Sequence, residues 1–520
     1  MAIKIILLVV FFASMVIVGA SCRKHSVDVN GFVLGGRSVG PWLTAFAFGT
    51  SYFSAVIFVG YAGQFGWNFG IASTWIGLGN AFIGSLLPWV VLGRRTRVMT
   101  QHIGSKTMPD FFGNRYKSTK LRVASSAITF VFLVPYTASL FNGLSRLFEM
   151  AFDIDYAYCV IAMAVLTGIY VIVGGYMATA INDFIQGIIM LFGIVAVIAA
   201  VLNQNGGFME SVKALANIES DVMNGAYASF LGPDPFYLLV VVLLTSLGTW
   251  GLPQMVGKFY SIKSENSIQK GTIISTAFAI IVAGGCYFLG GFGRLFATPD
   301  QVATEGFDSI VPSMLSNLPD VLIAIVLVLV LSASMSTLSS LVLTSSSTLT
   351  LDLIAPVSKK EMTDKKKITI MRVFIAFFII VSAVIAIVQA KSKVTFIAQL
   401  MGVSWGALAG AFLAPFLYGL YWKKTTKTSV VVSFIFGTAI MIIQLLISLG
   451  VFAVADIPVL NVIFKNSLYS GVFAMLGNLV IVPIISLLTQ KSIPEGVNEM
   501  FSCYDKKVEV NMVTAISNKK

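Results

Sequence analysis

The feature that most constrains this chain is a succession of apolar runs, each long enough to cross a bilayer. A helix of about 20 predominantly apolar residues spans the hydrocarbon layer. Thirteen such runs fall at roughly 3–20, 41–62, 71–93, 124–148, 157–177, 183–203, 236–257, 272–292, 320–346, 369–389, 396–421, 428–453 and 468–490. They are called the first to thirteenth spans below. With 57% hydrophobic and only 11% charged residues, a soluble fold of this length is excluded. The expectation is an all-α membrane protein.

Where the charges sit decides what the net charge of +12 means. Of 35 Lys and Arg, 27 fall in loops on one side of the spans, at 21–40, 94–122, 257–271, 352–368, 422–427 and 490–520. Seven fall on the other side, and Arg372 lies just inside a span. The positive-inside rule makes the first side cytoplasmic. The basic balance is therefore a topology signal, with the lipid bilayer and not a nucleic acid as partner. An odd number of spans puts the N-terminus outside and the C-terminus in the cytoplasm, as in a multi-pass plasma-membrane protein. A cleaved signal peptide ending at Gly19-Ala20-Ser21 is the competing reading of the first span; an uncleaved helix fits the later loops better.

Function classes narrow from what the spans lack. Four cysteines have no metal or redox spacing, and both histidines, His25 and His102, fall in cytoplasmic loops. No nucleophile–base pair stands out, so catalytic residues, an enzyme and an organic cofactor are not expected. No obligatory protein partner is indicated.

Two spans are irregular in the same way. The second carries Gly49-Thr50-Ser51-Tyr52-Phe53-Ser54, then Gly60, Gly63 and Gly66; the seventh places Gly248, Gly251 and Pro253 within six residues. Glycine and hydroxyl clusters suit an unwound helix whose freed carbonyls face a cavity or an ion, and proline removes a ladder donor. Each irregular helix begins a run of five spans, 2–6 and 7–11. Five is odd, so the runs have opposite orientation, the inverted-repeat logic of secondary transporters. The expected organisation is a first helix and loop (1–40), a transporter core (41–421, with repeats 41–203 and 236–421), two peripheral helices (422–490) and a short cytoplasmic tail (491–520).

The ninth span ends in LSASMSTLSSLVLTSSSTLT, more than half of it Ser or Thr. At 100° per residue, Ser336, Thr337, Ser340, Thr344 and Ser347 share one stripe with Ala333. Such hydroxyls often bond back to their own helix. So many at membrane depth also make an oxygen-lined face, and hard cations such as sodium take oxygen ligands. Asp183 is the one acid set against a span, at the predicted cytoplasmic entrance of the sixth; a helix N-cap is its ordinary alternative.

FVLGGRSVG (32–40), GGYMATAINDFIQG (174–187), SASMSTLSS (332–340) and GLYWKK (419–424), in this order among thirteen spans, resemble the sodium:solute symporter family. GLPQ in the seventh span and GGFGR (290–294) lean toward its pantothenate-type branch. The resemblance implies an inverted 5+5, LeuT-like core. It also implies a sodium site from the carbonyls of Thr50, Phe53 and Ala333 with the hydroxyls of Ser336 and Thr337. A second sodium site, present in a subset of the family, would comprise Asp183, Ser336, Ser339 and Ser340. Sodium is the only metal implied, as coupling ion. The chain departs from the proline-type pattern at Tyr52, where those members carry an acid, and at Thr245 and Thr249, where they carry aromatics. It also reads Thr428-Ser429 where the family usually has Gly-Ala.

The resulting expectation is sodium-coupled import of a small polar organic solute by alternating access, for example a carboxylate such as pantothenate, or an amino acid. Ser51, Ser54, Tyr136, Thr249, Trp250 and Gln254 would surround the solute, without a buried Lys or Arg. A proton-coupled transporter of the same fold, with Asp183 as carrier, is the nearest alternative; a solute sensor is a remoter one.

Overall fold

The computed structural model describes residues 2–505 apart from 153, 359, 391–396, 452 and 455, so residues 506–520 of the tail lie outside the described residues. Among the described residues there is no β-strand, only an isolated bridge between Val39 and Ile262. Ten helices among these described residues are long and apolar enough to cross a membrane, and a bent pair, Pro235–Trp250 with Pro253–Ser261, makes an eleventh.

Two of the ten cannot be single spans. Val56–His102 has 47 residues and Tyr156–Asn203 has 48. At 1.5 Å per residue each would be about 70 Å long, twice the hydrocarbon thickness. Both turn at a left-handed glycine, Gly70 (φ 60°) and Gly175 (φ 58°). A Cβ at Gly175 would also stand 2.9 Å from the Phe32 carbonyl oxygen, so only glycine fits there. Divided at these turns, and with Pro41–Tyr52 leading into the second span, the helices account for all thirteen expected spans.

One boundary moves. Hydropathy starts the sixth span at 183, but the chain re-enters the helix directly after Gly175. Asp183 is therefore two turns inside the span, fully buried, and not at its entrance.

The ninth span, Asp320–Thr348, sits at the centre, packed on the second, fourth and fifth–sixth spans. Nearly all of it from Ala324 onward is buried, polar residues included. Many of its hydroxyls bond back to carbonyls three or four residues earlier, such as Ser332 to Val328 at 2.7 Å and Thr348 to Thr344 at 2.9 Å. Small residues let backbones meet elsewhere: a Cβ on Gly66 would lie 1.8 Å from the Gly290 carbonyl oxygen. The twelfth and thirteenth spans pack on the eleventh, where Asn478 Nδ2 donates to the carbonyls of Gly410 (2.7 Å) and Ser433 (2.9 Å). At the far end of the first span, Lys4 pairs with Asp320 at 2.9 Å, which puts the start of the chain on the same side as the start of the ninth span.

Candidate functional site

The second span breaks where its glycine and hydroxyl residues cluster. Helix Pro41–Tyr52 ends at Phe53, which is extended (φ −94°, ψ 123°), and helical geometry resumes at Ala55. Leaving the helix frees the carbonyls of Thr50, Ser51 and Phe53 to face the ninth span. Ser336 Oγ lies 3.1 Å from the Thr50 oxygen and 3.1 Å from that of Ala333. Thr337 Oγ1 lies 3.2, 3.4, 3.1 and 3.1 Å from the oxygens of Thr50, Ser51, Phe53 and Ala333.

Counting protons shows what this arrangement suits. Two hydroxyls bring two hydrogens to four carbonyl oxygens, so not every contact is a hydrogen bond. All five residues named by the resemblance, Thr50, Phe53, Ala333, Ser336 and Thr337, are buried together here. The cage is rich in oxygen and short of protons. A small monovalent cation satisfies it, because the hydroxyls then turn their lone pairs inward. The oxygens such an ion would meet here are all neutral, and neutral oxygens hold an ion reversibly.

The residues of the second implied set are placed differently. Ser336 belongs to the first cage, and Ser339 Oγ donates to the Ser336 carbonyl at 2.9 Å. Ser340 Oγ meets Ser51 Oγ at 2.7 Å and accepts from Lys258 Nζ at 2.9 Å. The same ammonium stands 3.6 Å from Asp183 Oδ2. The expectation of no buried Lys or Arg at the solute site is thus corrected. Lys258, counted among the loop charges, is 3% exposed and lies inside the second half of the seventh span, Pro253–Ser261. Tyr176, Gln254, Lys258 and Ser340 line a cavity of about 50 Å³ that also touches Thr107 and Met108 on the basic side. That is room for a few waters at most.

The solute-facing candidates divide. The seventh span breaks at Gly251-Leu252 with a 42° bend, as Gly248, Gly251 and Pro253 suggest. Thr249 Oγ1 donates toward Gly84 O and Ser246 O, both at 2.9 Å, and Trp250 Nε1 donates to Ile83 O at 2.9 Å. These two side chains tie the seventh span to the third. Gln254 is buried and neither of its amide atoms has a hydrogen bond. Ser54 Oγ and Tyr136 Oη are likewise buried and face each other without closing to a short hydrogen bond. Trp405 Nε1 completes that group, its ring 6.0 Å from Tyr136 and edge-on to it. Sequence reasoning did not single out Trp405, because a tryptophan in an apolar span looks like packing.

An all-helical core in which two opposed five-span runs each open on a broken helix is that of a LeuT-like secondary transporter. Residues 32–437 match the model of the sodium:solute symporter family, and the chain belongs to that family. It is 29% identical over 494 residues to a sodium/proline symporter of Staphylococcus aureus, covering 94% of this chain and 93% of the relative. The sodium/proline symporter of strain JH9 is 30% identical over 496 residues, with the same coverage. In fold the chain is similar to a sodium-coupled sialic acid symporter solved in a substrate-bound outward-open state (TM-score 0.72, 16% identity, 94% of this chain and 98% of that one). Family and fold together make this a multi-pass sodium-coupled transporter of a small molecule. These relatives carry the proline name and do not bear out the lean toward the pantothenate-type branch.

Proposed function

We propose that the protein is a plasma-membrane importer that couples inward movement of sodium to uptake of a small polar solute bearing a carboxylate. The observation that carries this reading is the proton-poor oxygen cage at the break of the second span. Sodium held by Thr50, Phe53, Ala333, Ser336 and Thr337 bridges the second and ninth spans and stabilises the outward-open arrangement. Solute binding between the broken helices then permits closure, and both leave on the basic, cytoplasmic side. A sodium ion entering down a 100 mV potential contributes about 2.3 kcal/mol before any concentration gradient.

Ser54, Tyr136, Gln254 and Trp405 offer the solute hydroxyl, amide and indole groups that no short hydrogen bond holds, and main-chain N–H groups at the helix breaks suit a carboxylate. Proline, other amino acids and pantothenate therefore head the solutes to be tried. The test is uptake of a radiolabelled panel by purified protein in liposomes, with an inward sodium gradient. Sodium-driven uptake that needs higher sodium in S336A and T337A, with solute recognition little changed, is expected. Unchanged sodium dependence in both variants refutes the site. Uptake driven by an acidic exterior without sodium replaces the reading with proton coupling.

A further inference from the structure

Lys258 reaches its position from the second half of the broken seventh span. Its ammonium donates to Ser340 Oγ at 2.9 Å, stands 3.6 Å from Asp183 Oδ2 and lies 5.4 Å from the centroid of the Tyr176 ring. Asp183 is fully buried, and neither of its oxygens has a hydrogen bond. Lys258 is the cation set against it among the described residues. A buried carboxylate needs a positive charge nearby or loses its ionised form.

We propose that Lys258 is a tethered cation, its ammonium filling the place between Asp183 and Ser340 that a second sodium ion would take, so that this chain binds one sodium and not two. This rests on the reading of the first cage as a sodium site. Two arguments support exclusion of the second ion. One carboxylate neutralises one cation; a sodium ion added beside the ammonium would leave an unbalanced positive charge where the local dielectric is low. Ser340, moreover, already accepts from the ammonium and meets Ser51 at 2.7 Å.

The same contacts give Lys258 a line to the first cage. Ser51 contributes a carbonyl oxygen 3.4 Å from Thr337 Oγ1, and its hydroxyl touches Ser340. The ammonium, Ser340, Ser51 and Thr337 thus run in sequence from the seventh span to the cage. Lys258 is a positioning residue: it holds the far side of the cage without touching the transported ion.

The test counts bound radioactive sodium on purified protein in detergent, with no solute present. Wild type and K258R are expected to bind one sodium, K258Q two, and the double variant K258Q/D183N one again. K258Q should also be stabilised against heat by sodium more than wild type is, since the ion then supplies the positive charge that Asp183 has lost from beside it. Two sodium ions on wild type, or a single one on K258Q, overturn the proposal. So does a K258Q protein that cannot be recovered folded even in sodium while K258Q/D183N can. No sodium on wild type is a separate result, which removes the first cage itself.

Discussion

Tyr52 donates its phenolic hydrogen to the main-chain carbonyl of Thr245 across 2.6 Å. Tyr52 is the last residue before the gap in the second span, and Thr245 lies just ahead of the gap in the seventh. Two of the three positions at which the chain departs from the proline-type pattern, Tyr52 and Thr245, are therefore joined to each other. The Tyr52 ring also stacks on Trp405, centroids 5.8 Å apart. Together they link the opening helices of both repeats at the level of the proposed solute cavity.

Y52F keeps the ring and deletes the link. A buried hydrogen bond contributes about 1 kcal/mol, so a modest fall in melting temperature is expected. Solute selectivity in the uptake panel should change, because the breaks are freer to move apart. Sodium half-saturation should stay within about twofold, since the cage uses main-chain oxygens of Thr50 and Phe53 and no part of the phenol. A large loss of sodium affinity in Y52F would show that the two sites are not separable in this way.

The breaks were legible because unwinding a membrane helix demands particular residues, and Gly49–Ser54 and Gly248–Pro253 are those residues. The cage followed from the stripe of Ser336 and Thr337 together with the resemblance. Lys258 was not legible. Assigning lysines to loops works by position along the chain, whereas its partner Asp183 is distant in sequence and meets it only once the repeats pack. Asp183 itself was placed too near the surface because Gly175 reverses the chain without a polar loop, and hydropathy needs such a loop to see an end. Thr249 and Trp250 face the third span, and no periodicity within the seventh reveals that.

Helix packing makes a sharper demand at Gly66. A Cβ there would meet backbone, the Gly290 oxygen at 1.8 Å, and a Cβ on Gly290 would stand 2.1 Å from the Ala62 oxygen. Neither neighbour is a side chain that can swing aside, so the second and eighth spans must separate. G66A should cost about 2–3 kcal/mol or more, in the upper range for overpacking. Gly284, on the eighth span itself, has nothing within 4 Å of a built Cβ and provides the matched control, G284A. Thermal unfolding in detergent should show a large drop for G66A and almost none for G284A. Equal behaviour of the two would mean that the close approach of the spans is not what the glycine secures.

On the basic side, Arg122 binds two acids at once, Asp352 through Nε at 2.8 Å and Asp110 at 3.2 Å. Burial raises the Asp110 carboxyl above its ordinary value of 3.8; Arg122, the Lys106 N–H, the Lys106 charge and Asn114 oppose this without cancelling it. A carboxyl raised on folding binds its proton more tightly in the folded protein. Its stabilising contribution is therefore full below 3.8 and is lost as pH climbs through the folded value. Wild type should accordingly lose melting temperature relative to D110N as pH rises across that window, and the difference should level off above it. A gap between the two that stays constant with pH would sink the assignment.

Tyr136 offers a test that separates a binding role from a packing one. Its hydroxyl, Ser54 Oγ and Trp405 Nε1 are buried beside the break of the second span and face one another, with no pair closed to a short hydrogen bond. A buried polar group left wholly unpaired costs about 1–3 kcal/mol, and three groups that meet only loosely forfeit part of that. A solute that supplies closer partners recovers that part on binding. Y136F should then leave the solute-free protein as stable as wild type or more so, while weakening the apparent solute affinity by about tenfold or more, the factor that 1.4 kcal/mol represents. Sodium half-saturation should not move, because Tyr136 touches no atom of the cage. If the hydroxyl served packing alone, removing it would lower stability and leave solute affinity untouched, so the opposite signs of the two effects decide between the roles.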